Sequence, residues 1–167
     1  MAKRLAVAFT GPSNSGKTTL ILKVARKLIH DYGKEVAIVK NDPKDKARFD
    51  VEGKDSFKFY QTGAEVAVVS PNRTTYFSHK SQSLDEMIEH FGAFDFLLVE
   101  GLKTLPLPRI AIFRDRIDEA YFDCSDAMAI DHTIDPKKAN IPASIDILDL
   151  NDPEMVIEWI KTNAKAV

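Results

Sequence analysis

The first apolar block, Leu5-Ala6-Val7-Ala8-Phe9, is short and unbroken and ends at Thr10-Gly11. Without polar alternation, such a run predicts a parallel strand buried on both faces. From Lys17 the period changes. Leu20, Ile21, Val24, Leu28 and Ile29 recur at helical spacing as far as Gly33, a residue suited to ending a helix. Val36, Ala37, Ile38 and Val39 then form a second buried strand. Strand, loop, helix and strand in this order predict a right-handed βαβ crossover, and so an α/β fold.

After Lys40 the chain stays polar through Gly53, which is long for a strand-to-helix connection and fits either a mobile functional loop or a solvated one. A short helix is predicted over Asp55 to Thr62. Two strands follow, Glu65 to Ser70 and Arg73 to Ser78, joined by the turn residues Pro71-Asn72. This hairpin interrupts the parallel pattern. Ser83 and Glu86 form a capping-box pair ahead of a helix over Leu84 to Phe91. A strand over Phe94 to Val99 ends at Glu100-Gly101. Further strands are predicted at Arg109 to Phe113, Ala127 to Ile130 and Ile145 to Leu148, and Asp152 caps a final helix through Trp159 and Ile160.

Composition narrows the setting. The 167 residues are 44% hydrophobic and 29% charged, and no repeat or linker divides them, so residues 1–167 are expected to form one domain. A net charge of −2 supplies no general attraction to nucleic acid or to an anionic membrane. No apolar stretch approaches the roughly 20 residues of a spanning helix, and no signal peptide is expected. One cysteine, Cys124, excludes an internal disulfide, and a reducing, cytoplasmic location is expected.

The chemistry concentrates in the loop after the first strand. Gly11-Pro12-Ser13-Asn14-Ser15-Gly16-Lys17-Thr18 matches G-x-x-x-x-G-K-[ST] between a predicted strand and a predicted helix, the setting that a phosphate-binding P-loop requires. The alternative is a glycine-containing turn ahead of an ordinary helix. In the P-loop reading, backbone N–H groups from Gly11 to Thr19 cradle phosphate oxygens, Lys17 reaches the β- and γ-phosphates, and the Thr18 hydroxyl ligates Mg²⁺. The fold class becomes that of a P-loop NTPase: a mostly parallel central sheet flanked by helices, with an inserted β-hairpin.

Such a site needs an acidic partner, and the next long apolar strand offers Asp95 at its start and Glu100 at its end. At about 3.3 Å per residue their backbones stand roughly 16 Å apart, and ligands of open parallel sheets gather at the carboxyl ends of strands. Glu100 is therefore the expected Mg²⁺ or water-orienting carboxylate, and Gly101 the residue allowing close approach to phosphate.

Several segments together resemble the MobB family, the molybdopterin-guanine dinucleotide biosynthesis protein B group. They are the loop GPSNSGKTTL, Asp50-Val51-Glu52-Gly53-Lys54-Asp55-Ser56, Gly63-Ala64, Val99-Glu100-Gly101-Leu102-Lys103 and Leu150-Asn151-Asp152-Pro153-Glu154. The resemblance implies a GTP-binding protein with weak hydrolysis. It would act as an adaptor beside a MobA-like molybdenum cofactor guanylyltransferase that attaches GMP to molybdopterin. It also implies a homodimer in which the hairpin exchanges strands. Asp50, three residues before Gly53 as in the family's run, is implied as a switch-loop carboxylate near Mg²⁺ alongside the catalytic candidates Lys17 and Glu100, with Asp42 as its competitor.

Many members of that family carry histidines just after the second strand, where this chain reads Lys40-Asn41-Asp42-Pro43-Lys44-Asp45-Lys46. The basic residues Lys40, Lys44, Lys46, Arg48 and Lys54 are either a phosphate grip or a solvated charged loop. No N-K-x-D guanine-reading box occurs, so guanine is implied by resemblance alone. Asp131 is a candidate acceptor for a guanine edge or an ordinary loop aspartate. Arg109, Arg114 and Arg116 either present a cation to a phosphate or simply flank a strand. His30, His79, His90 and His132 lack ligand spacing, so no structural metal is assigned. The rival readings are a small-molecule kinase and a nucleotide-gated metallochaperone.

Overall fold

The computed structural model describes residues 4–167, which fall into two compact units: the chain up to Asn41 together with Phe91–Val167, and Asp42–His90. In the first unit, β1 (Leu5–Thr10) leads into α1 (Lys17–His30) and β2 (Val36–Lys40). The later strands β5 (Phe96–Glu100), β6 (Arg109–Phe113), β7 (Ala127–Ile130) and β8 (Asp146–Asp149) are followed by α4 (Pro153–Asn163) and the two-residue β9 (Lys165–Ala166).

These strands make one sheet in the order β2-β5-β1-β6-β7-β8, with parallel pairing throughout that path. The βαβ unit is present, but β5 is inserted between its two strands. β2 consequently lies at the sheet edge, where Ile38 is 43% exposed instead of fully buried as its apolar run predicts. β6 joins β1 only from Ala8 onward, and β9 pairs antiparallel with Leu5 and Ala6. Between them the two strands complete the central strand's ladder.

Period-2 alternation sorts the sheet residues onto two faces. Val7, Phe9, Leu98, Ile110, Ile112 and Ala129 pack with Leu20, Val24 and Leu28 of α1 and with Val156, Ile157 and Ile160 of α4. Ala111, Phe113, Met128 and Ile130 face a smaller cluster with Ile134 and Ile145, covered by Tyr121 and Phe122 of a 3₁₀ turn (Glu119–Cys124) that apolar periodicity does not reveal. The α4 start follows expectation: Asp152 Oδ1 accepts from the Glu154 and Met155 N–H groups, and Pro153 occupies the first turn. No helix among the described residues is long and apolar enough to cross a membrane.

The second unit holds α2 (Asp55–Gln61), the antiparallel hairpin β3 (Val66–Ser70) and β4 (Arg73–Phe77), and the start of α3 (Leu84–Phe91). The hairpin is a separate two-stranded sheet. At the head of α3 the capping box forms in both directions, with Ser83 N–H donating to Glu86 Oε2 at 2.7 Å and Glu86 N–H to Ser83 Oγ at 3.3 Å.

One internal cation organises the connection after β5. Arg109 is 4% exposed, and its guanidinium donates to the carbonyls of Leu102, Leu105 and Cys124 at 2.9, 3.1 and 3.3 Å. It is therefore turned into the protein and gives no cation to a phosphate. Arg109→Ala should lower stability by roughly 2–4 kcal/mol, because buried carbonyls lose charged donors. A urea titration would show this as a lower midpoint at unchanged slope, whereas an unchanged midpoint would remove Arg109 from this role.

Candidate functional site

The loop between β1 and α1 is shaped by residues whose backbone lies in the left-handed half of conformational space. Gly11 has φ +138°, Asn14 has φ +62° and Gly16 has φ +98°. A Cβ at Gly11 would stand 2.5 Å from the Ile112 carbonyl oxygen and 3.1 Å from Ser15 Oγ, so β6 leaves no room for a side chain there. The outcome is a loop pressed against the carboxyl end of the sheet, with α1 beginning immediately beyond it.

The start of α1 contrasts with those of α3 and α4. Gly16 supplies no side-chain cap, and the first turn carries no acidic residue, whereas the other two helices have both. The first N–H groups and the positive end of the helix dipole are thus left without a side-chain partner, as an anion site requires. Ser15 Oγ is also buried with no hydrogen-bond partner among the described residues. These features fit an oxygen-rich anion such as a polyphosphate.

Lys17 reaches back across the loop, its Nζ donating to the carbonyls of Gly11 at 2.9 Å and Pro12 at 2.7 Å. Burial lowers its pKa below the ordinary lysine value; Glu100 opposes this shift and Lys40 adds to it. Lys17, Glu100 and Lys40 therefore share one electrostatic neighbourhood. Glu100 ends β5 opposite Phe9, its side chain is 17% exposed, and Lys40 Nζ stands 3.6 Å from its Oε2. The Gly101 N–H donates to the Phe9 carbonyl at 2.9 Å, bringing the two loops together, and a Cβ on Gly101 would come 3.1 Å from Asn41 Cβ.

Asp95 lies at the other end of β5, where its Oδ2 accepts from the Glu35 N–H and its carbonyl from the Leu5 N–H. A hollow of about 300 Å³ is lined by Asn14, Gly16, Lys17, Thr18, Thr19 and Arg114. The structure thus brings together the whole predicted phosphate loop, Glu100 and Gly101.

Asp131 ends β7 in the same unit. Its Oδ1 accepts from the Thr133 N–H and hydroxyl, and its Oδ2 faces Arg114 Nε at 3.5 Å. Asp50 and Asp42 belong to the other unit. Asp50 Oδ1 accepts from the Val51 N–H and the Ser56 hydroxyl, while its Oδ2 is buried without a partner among the described residues. Asp42 Oδ2 accepts from the N–H groups of Lys46 and Ala47 at 2.7 and 2.6 Å, closing a local turn. Among the described residues no group of three or more His, Cys, Asp or Glu side chains is placed to hold a metal.

The family model described as molybdopterin guanine dinucleotide synthesis protein B matches residues 6–132. The chain belongs to the MobB family. It is 30% identical over 162 residues to the molybdopterin-guanine dinucleotide biosynthesis adapter protein of Haemophilus influenzae, covering 93% of this chain and 86% of that one. It is 27% identical over 168 residues to the Escherichia coli protein of the same description, covering 93% of each. The crystal structure of a molybdopterin-guanine biosynthesis protein B superposes with a TM-score of 0.71 at 25% identity, covering 95% of this chain and 97% of the other. The P-loop NTPase fold thus stands on sequence and structure alike.

The tight contact at Gly11 makes a discriminating test. Gly11→Ala combines a backbone clash with a left-handed φ and should cost more than about 2 kcal/mol. Gly33→Ala, also left-handed at φ +61° but with open space around the added atom, should cost about 1 kcal/mol. Thermal unfolding of the pair measures the difference; equal losses would contradict the close approach to Ile112.

Proposed function

We propose that this chain binds GTP with Mg²⁺ through the Gly11–Thr19 loop, hydrolyses it slowly, and serves as an adapter in molybdopterin guanine dinucleotide synthesis beside a MobA-like guanylyltransferase. The observation that carries the nucleotide reading is the uncapped start of α1 held under a Gly11 loop that contains a buried, unpartnered Ser15 hydroxyl. Family membership and the adapter relatives support the pathway.

In this reading Lys17 exchanges its bonds to the Gly11 and Pro12 carbonyls for β- and γ-phosphate oxygens, a replacement of two neutral acceptors by charged ones. Mg²⁺, when bound, neutralises charge on those same phosphates. Thr18 and Glu100 are the residues to hold it, directly or through water; Mg²⁺ retains waters readily and needs only one or two protein carboxylates. Lys40, paired with Glu100, keeps that carboxylate beside the loop.

Calorimetry with GTP and Mg²⁺ should show binding to the wild-type protein, none to Lys17→Ala, and at least tenfold slower hydrolysis by Glu100→Gln. Preference for ATP with phosphoryl transfer to a small acceptor would establish the kinase reading in its place.

The homodimer belongs to the same proposal. The hairpin leaves Val69 77% exposed, Tyr76 44% and Val68 38%, and two strands alone make a marginal sheet with open edges. Light scattering should return twice the chain mass of 18.7 kDa, and Val69→Lys should shift it toward the monomer. A wild-type monomer at high concentration would rule the dimer out.

A further inference from the structure

Arg114 follows β6 directly, and its guanidinium faces Gly16 of the phosphate loop. A Cβ placed on Gly16 would stand 3.4 Å from Cζ, Nε and Nη2 alike, which locates that position over the face of the guanidinium plane. An added atom there would sit at van der Waals distance from the guanidinium, so it is the φ of +98°, and not space, that calls for glycine at this position. The Nε edge is tied back to Asp131, whose side chain is 8% exposed against 42% for Arg114. No hydrogen bond within the described residues occupies Nη1 or Nη2.

The support behind the arginine is more elaborate than a surface ion pair needs. Thr133 donates to Asp131 Oδ1 through both its N–H and its hydroxyl, and the same hydroxyl oxygen accepts from the Asp115 N–H at 2.8 Å. Asp115 has φ +64°, and the Arg116 N–H closes the turn on the Arg114 carbonyl at 2.7 Å. The hydrogen bonds from Thr133 hold the Asp131 carboxyl below its ordinary pKa, against the opposing effect of burial, so it is ionised at neutral pH. An exposed pair at 3.5 Å contributes little to stability by itself. Here the buried partner and its braces fix where the cation points.

Sheet order gives that direction a meaning. β5 and β6 flank β1 on opposite sides, so Glu100 and Arg114 stand at the carboxyl ends of strands on either side of the phosphate loop. If the metal and the terminal phosphate lie toward Glu100, a bound nucleotide extends its α-phosphate and nucleoside toward Arg114.

We propose that Arg114 is a nucleotide-binding residue at the nucleoside end of the site, its Nη atoms donating to the α-phosphate, and that Asp131 is a positioning residue acting through it. This rests on the nucleotide reading above. It assigns Asp131 to holding the arginine in place of reading a base directly.

Calorimetry with GTP and with GDP, each with Mg²⁺, separates the possibilities. Arg114→Ala and Arg114→Gln should weaken both nucleotides by the same factor, about tenfold or more, since GTP and GDP share the α-phosphate. Arg114→Lys should recover part of that loss. Asp131→Asn should weaken binding in the wild-type background and have no further effect when Arg114 is already Ala, with unfolding temperature recorded to show that each variant is folded. The proposal is overturned if the Arg114 variants bind both nucleotides normally, if they lose GTP but not GDP, or if the Asp131 loss persists in full without the arginine. Failure of the wild-type protein to bind either nucleotide would overturn the nucleotide reading itself, and this one with it.

Discussion

The start of the phosphate loop touches the neighbouring strand so closely that only a hydrogen fits between Gly11 Cα and the Ile112 carbonyl. That contact presses the turn after β1 against the end of β6. It lets the loop lie against the carboxyl end of the sheet, with α1 beginning just beyond it. The buried strands behind it give the turn a rigid base: Ala6 to Phe9 and Ile110 to Phe113 are each fully buried. A site that must hold several like charges together gains from a frame that cannot relax away from them.

Charge is arranged unevenly around this frame. On the β5 side stand a carboxylate and a lysine, Glu100 and Lys40, beside Lys17. On the β6 and β7 side stands a cation backed by a buried carboxylate, Arg114 and Asp131. A linear ligand carrying phosphates at one end and a nucleoside at the other has one orientation that places a metal near a carboxylate and the remaining anionic charge near an arginine. The polarity of the site is thus a property of strand order.

The arginines illustrate how little a residue's type says about its task. Arg109 begins β6 and Arg114 follows its end. The first is buried and spends its donors on backbone carbonyls, which fixes the connection after Glu100-Gly101. The second is partly exposed and lies over Gly16. Four residues of strand separate a structural cation from one facing the ligand site, because ligand sites in such sheets lie beyond the carboxyl ends and not along the strands.

Much of this was legible in the order of residues alone. Continuous apolar runs marked β1, β5 and β6, helical spacing marked α1, and the capping residues Ser83 and Asp152 marked the starts of α3 and α4, because each of these patterns reflects contacts a few residues apart. The setting of the glycine-rich loop between a strand and a helix, and the placement of Glu100 and Asp95 at opposite ends of β5, were equally readable, since both follow from motif spacing and strand direction. Other features depended on residues distant in sequence. These were the insertion of β5 between β1 and β2, the exposure of Ile38 at the resulting edge, and the pairing of β9 with the lower half of β1. The inward turn of Arg109 and the meeting of Arg114, Gly16 and Asp131 were likewise tertiary. Local pattern specifies which face of an element is apolar. Which elements become neighbours, and therefore which side chains meet, was decided only when the whole sheet closed around β1.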